Sequence, residues 1–120
     1  MVKRIARIVV VFVIAATPFL ASTPAQAASW ACDPGYSCYY TEHGGDGSRW
    51  VAPSGGCHHP LPSGFQDNIS SVYNRGHGTA FVHLYNWVGS WEHLITVAPG
   101  DKLNLYLGRN NTTDRICIDS

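Results

Sequence analysis

From Ser37 onward no stretch of this chain keeps a helical apolar period beyond a couple of turns. Short runs rich in aromatic and β-branched residues alternate instead with breaks of turn composition. The runs are "SCYYTE", "RWVA", "SSVYN", "AFVHLYNW", "HLITVA" and "KLNLYLG". Between them lie "HGGDGS", "APSGG", "LPSG", "RGHG", "APGD" and "GRNNTTD". Within the runs, residues alternate as strands require: Phe81, His83 and Tyr85 against Val82, Leu84 and Asn86, and Leu103, Leu105 and Leu107 against Lys102, Asn104 and Tyr106. Pro53, Pro60, Pro62 and Pro99 fall in the connections, where a missing N–H costs no ladder bond. Strands at this spacing imply an all-β sandwich or barrel.

The first residues have a different character. Lys3, Arg4 and Arg7 precede the apolar run Ile8 to Ala16, and "ATPFLASTPAQA" ends in the small-x-small triplet Ala25-Gln26-Ala27. This is the tripartite pattern of a signal peptide over 1–27, with a single domain over 28–120. Nine apolar residues are too few for a membrane span, which needs about 20. We therefore expect a secreted, extracellular protein with no membrane association once the leader is removed.

Loss of the leader leaves five basic residues against eight acidic ones, a net charge of −3 with histidines neutral. A mildly acidic domain with no basic run is a poor partner for nucleic acid or an anionic membrane. A domain this small also needs reinforcement beyond its core. Cys32, Cys38, Cys57 and Cys117 supply it in an oxidising compartment. Of the three pairings, we expect Cys32–Cys38 as a local staple, contributing about 2 kcal/mol, and Cys57–Cys117 as a long-range one, contributing about 4 kcal/mol. A metal centre on Cys57, His58 and His59 is disfavoured, because neighbouring residues of an extended chain point to opposite faces.

An internal repeat is visible. Tyr40 and Tyr85 each precede a glycine-bearing turn, and "DNISSVYN" and "NNTTDRICI" follow at matching distances. Tyr40 to Val72 is 32 residues and Tyr85 to Ile116 is 31. The spacing suggests two similar four-strand Greek-key halves packed face to face. No G-x-S-x-G or H-E-x-x-H motif occurs, so we expect no enzyme.

In order along the chain, "CDPGYSCYY", "DNISSVYNRG" and "APGDKLNLYLGRNNTTDRI" resemble peptidase inhibitor family thirty-six, a family of secreted bacterial proteins. The resemblance covers essentially the whole mature chain. It implies a βγ-crystallin-like Greek-key β-sandwich, in agreement with the two halves read from spacing. It also implies a monomeric inhibitor of an extracellular peptidase, a metallopeptidase or a broader endopeptidase, that presents a rigid substrate-like loop. By composition that loop lies in Val51 to Gly64, with Ser54, Gly55, Gly56, Cys57, His58, His59 and Pro60 as candidate contacts. His58 and His59 are the side chains expected to enter the cleft. The chain departs from its inhibitory relatives in having one short-range cysteine pair where they carry a second at the reactive loop. The alternative is a non-inhibitory secreted βγ-crystallin-like module that recognises cell-wall glycan or acts as a killer-toxin-like antimicrobial. Trp50, Trp87 and Trp91 would supply its stacking platform unless they are spent on core or rim packing.

The βγ-crystallin likeness raises calcium. Its motif, [N/D]-[N/D]-x-x-[S/T]-S, is approached by Gln66 to Ser71, where Gln66 replaces the first residue and Asp67, Asn68, Ser70 and Ser71 remain. Asn110 and Asn111 keep the first pair in the second half, but Asp114 and Arg115 replace the serines. Calcium wants six to eight oxygens, and Arg115 brings a positive charge. Turn capping by these side chains is the expected role, with no cofactor, and weak calcium binding is the alternative.

Overall fold

The computed structural model describes residues 29–52 and 55–119. The leader expected over 1–27 and the loop residue Ser54 lie outside them. Eight strands form: β1 (Ser37–Tyr40), β2 (Arg49–Ala52), β3 (Gly56–His58), β4 (Ser71–Asn74), β5 (Val82–Trp87), β6 (Trp91–Val97), β7 (Lys102–Asn104) and β8 (Arg115–Ile118). A single 3-10 turn, His43–Gly45, folds over between β1 and β2, and no α-helix occurs among the described residues. The protein is an all-β sandwich of two antiparallel four-strand sheets.

The strand orders are β2-β1-β4-β7 and β3-β8-β5-β6. Each sheet thus takes three strands from one half of the chain and the third strand of the other half. The halves interlock through β3 and β7, where simple face-to-face packing was expected. The register makes the repeat explicit. Tyr40 pairs with Ser71 and Tyr39 with Val72; in the second half Tyr85 pairs with Arg115 and Leu84 with Ile116. Tyr40 and Tyr85 are therefore equivalent, as are Val72 and Ile116.

Alternation places Tyr39 and Val72 from one sheet, and Val82, Leu84 and Ile116 from the other, in the core between them. Leu61, Phe65, Ile69 and Leu105 enter from the connections and close its ends. Each such side chain contributes about 1.5–3 kcal/mol. Asn74, fully buried, crosses between the sheets, donating from Nδ2 to the carbonyls of Ala80 (2.7 Å) and Val97 (2.9 Å).

All four β1 residues are buried, because the first described residues cover the sheet's outer face. Cys32, Cys38 and Tyr40 form a second cluster there, with Trp30 edge-on to Tyr40 at 5.7 Å and to Tyr73 at 6.3 Å. Gly45 permits this cover. Its φ is +70°, and a Cβ on it would lie 2.4 Å from the Trp30 backbone nitrogen.

One alternation fails. Leu105 is buried, but β7 ends at Asn104 and the chain turns, leaving Leu107 98% exposed with φ +45°. The expected strand run ends after Leu103; Leu105 still reaches the core from the connection, and Leu107 does not.

Candidate functional site

The segment chosen by composition as the inhibitory loop is partly strand. Gly56–His58 pairs with β8 in register Gly56 to Ile118, Cys57 to Cys117 and His58 to Ile116. Strand β3 is the outermost strand of its sheet, with no further strand beside it among the described residues. The Cys57–Cys117 disulfide bridges β3 to β8, and Cys32–Cys38 staples the segment before β1. Gly55 and Gly56 both adopt positive φ, +77° and +78°, with open space where a Cβ would be. Gly56, Cys57, His59 and Pro60 are exposed.

The two histidines separate. His58 is half-buried, its ring edge-on to Trp50 at 5.8 Å, on the side where Trp50 packs against Tyr39 and Phe65. His59 is exposed, edge-on to Trp91 at 4.9 Å, with Nδ1 3.3 Å from the Asp114 carbonyl. Of the pair, only His59 stands at the surface.

The residues weighed for calcium form two matched turns. Asp67 and Asn111 occupy equivalent positions, both left-handed with φ +52° and +56°, which these side chains tolerate. Each donates its backbone N–H across to the other half: Asp67 to the Thr113 carbonyl at 3.1 Å, Asn111 to the Ile69 carbonyl at 3.0 Å. Ser70 Oγ donates to Asn111 Oδ1 (3.0 Å), and Asn68 Nδ2 donates to the Gly64 carbonyl (2.9 Å). Ser71 Oγ donates to the Glu42 carbonyl (2.6 Å) and accepts the Gly45 N–H (3.0 Å). Asn110 Oδ1 is buried with no partner among the described residues. At the position equivalent to Ser71, Arg115 stacks on Tyr85 and Trp91, 4.4 and 4.2 Å from their centroids. The oxygens of Ser70, Ser71 and Asn111 are thus engaged in hydrogen bonds that hold the turns, where calcium wants six to eight oxygen ligands. No cluster of three or more His, Cys, Asp or Glu suited to a metal occurs among the described residues.

Sequence reasoning did not anticipate the role of Asp114. It is buried, and its carboxylate accepts the Trp87 N–H at 2.8 Å through Oδ2 and the Gln66 amide through Oδ1. Asp67 lies beside it. Desolvation of the Asp67 carboxyl, its hydrogen bond to Asp114 and repulsion from that carboxylate push its pKa upward, although the residue as a whole is exposed. Asp114 stands where the repeat has Ser70; an alignment of the halves places it there but does not show its partners, which come from other elements.

The model of peptidase inhibitor family I36 matches residues 25–93. The match takes in the cysteine-stapled segment, β1 to β5 and the first half of β6, and ends before β7 and β8. Neither a curated protein nor a solved structure matches the chain. With more than half of its length matched, including β3 and the first turn, the chain belongs to peptidase inhibitor family I36.

Proposed function

We propose that the protein is a secreted, monomeric, non-enzymatic inhibitor of an extracellular endopeptidase, with metallopeptidases the first class to test, acting without a cofactor. Its contact with the peptidase is the Gly55–Pro60 segment. The observation that carries this reading is the form of β3: an extended, solvent-facing edge strand tied to β8 through Cys57–Cys117. Peptidases bind substrates as extended chains, and strand addition along the outer strand of a sheet supplies main-chain hydrogen bonds. Gly56–His58 is already held as a strand, so little ordering entropy is lost there on binding. The disulfide keeps the ends of a cut chain in place, so resealing competes with release.

The purified, disulfide-intact protein is to be titrated against thermolysin-like, subtilisin-like and papain-like peptidases. Inhibition of at least one is expected. In the Cys57→Ala, Cys117→Ala variant, the same peptidase should cleave within residues 55–60, a shift from inhibitor to substrate visible by mass spectrometry. The Cys32→Ala, Cys38→Ala variant should stay inhibitory at temperatures where it remains folded. No inhibition of any peptidase in the panel by the folded protein overturns the reading.

A further inference from the structure

A cleft of about 630 Å³ opens where the turn before β4 meets the β5–β6 hairpin, lined by His59, Gln66, Asp67, Trp87, Trp91 and Asp114. Its volume falls within the range of small-ligand sites, about 300–1,000 Å³. Trp87 is the anomaly. It leaves 54% of its surface in water, although its backbone N–H is pinned by the buried Asp114 carboxylate. Trp91 lies edge-on to it at 5.0 Å, and is itself held between the Arg115 guanidinium and the His59 ring. The exposed Trp87 indole, with its backbone anchored and the multiply contacted Trp91 beside it, is an apolar platform whose exposure is not explained by packing.

The groups around it are polar and mixed in kind. Gln66 is fixed at both ends of its amide, Oε1 accepting the Leu61 N–H at 3.2 Å and Nε2 donating to Asp114. Asp67 is held in its left-handed turn by the bond from its N–H to Thr113. His59 stands exposed on the near wall. Hydrogen-bonding side chains thus surround a flat aromatic face.

We propose that this cleft binds a neutral glycan, with a pyranose ring stacked on Trp87 and its hydroxyls bonded by Gln66, Asp67 and His59. A pyranose presents an apolar C–H face and a rim of hydroxyls that both donate and accept, which matches the platform and its mixed border. A cationic ligand fits less well. Arg115 already covers Trp91, and Asp114 is spent on Trp87 and Gln66. Anions meet two carboxyl groups. The proposal does not rest on the inhibitor reading: His59 belongs to both surfaces, but Trp87, Trp91, Gln66 and Asp67 lie outside Gly55–Pro60.

The test uses the purified, disulfide-intact protein and soluble cello-, chito-, xylo- and manno-oligosaccharides. The chain has four tryptophans, so four indole N–H resonances report at once. With at least one of these sugars, the Trp87 and Trp91 signals should move while Trp30 and Trp50, packed elsewhere, stay as internal controls. Trp87→Ala should weaken that binding at least tenfold, Trp87→Tyr should retain part of it, and Asp67→Asn should weaken it several-fold. Peptidase inhibition, where present, should be unchanged in Trp87→Ala. No shift with any sugar of the panel overturns the proposal. So does loss of peptidase inhibition in Trp87→Ala with no sugar binding in the parent, which would make the cleft a protein contact.

Discussion

Ser71 and Arg115 occupy one position of the repeat: each stands directly across the ladder from the equivalent tyrosine in the first strand of its half, Tyr40 or Tyr85. Their jobs have diverged. The Ser71 hydroxyl secures the His43–Gly45 fold-over by one bond given and one accepted, fully buried. Arg115 secures its half by lying on two aromatic faces.

The two should fail differently when truncated. Ser71→Ala leaves the Gly45 N–H and the Glu42 carbonyl without their partner, and buried orphans cost about 1–3 kcal/mol each. We expect a loss of about 2 kcal/mol or more in urea unfolding. Arg115→Ala removes two cation–π contacts from a half-buried site and should cost about 1 kcal/mol. Equal losses would mean that the fold-over does not depend on Ser71.

Calcium should do little. A site filled to a hundred times its dissociation constant would add about 2.7 kcal/mol and a plain rise in melting temperature. With the oxygens of Ser70, Ser71 and Asp114 already engaged, millimolar calcium should leave the melting temperature nearly unmoved. A rise of several degrees that Asp67→Ala abolishes would restore the ion site.

Much of this architecture could be read from residue order. The spacings from Tyr40 to Val72 and from Tyr85 to Ile116 predict the register that the ladders adopt, because equivalent strands need equivalent lengths of chain between them. The exchange of β3 and β7 was not legible. Each is only three residues long, and β3 is Gly-Cys-His, without a β-branched residue. Such a segment becomes a strand through its partner and its disulfide, not through its own propensity. The cleft was equally hidden. Trp87 and Trp91 could be named as stacking candidates, but Asp114, Gln66 and His59 meet them only once the halves interlock.

Leu107 offers a gain. A non-glycine residue in the left-handed region costs about 1–2 kcal/mol, and at 98% exposure its side chain has almost no packing to offset that cost. Leu107→Asn, a residue that tolerates this conformation, should raise stability by about 0.5–1 kcal/mol, measured by denaturant unfolding. A loss would reveal a contact that holds the leucine side chain in place.

Asp67 should give the fold a measurable pH signature. The folded state holds its proton more tightly than the unfolded chain does, because the carboxyl is partly desolvated and shares a hydrogen bond with Asp114. Its contribution to stability is therefore complete below the ordinary aspartate value of 3.8 and is lost as pH rises through the raised folded-state value. Above that, two carboxylates face each other across the matched turns. Asp67→Asn removes the repulsion without changing the backbone requirement, since Asn111 already fills the equivalent left-handed position. The variant should thus be more stable than the parent at neutral pH. The gain is on the order of 0.5 kcal/mol, because solvent screens so exposed a charge. Parallel urea unfolding of the two proteins from neutral pH downward should show that advantage shrinking as Asp67 takes up its proton. An advantage that stays constant with pH, or a parent more stable at neutral pH, would mean that the two carboxyl groups do not interact as described.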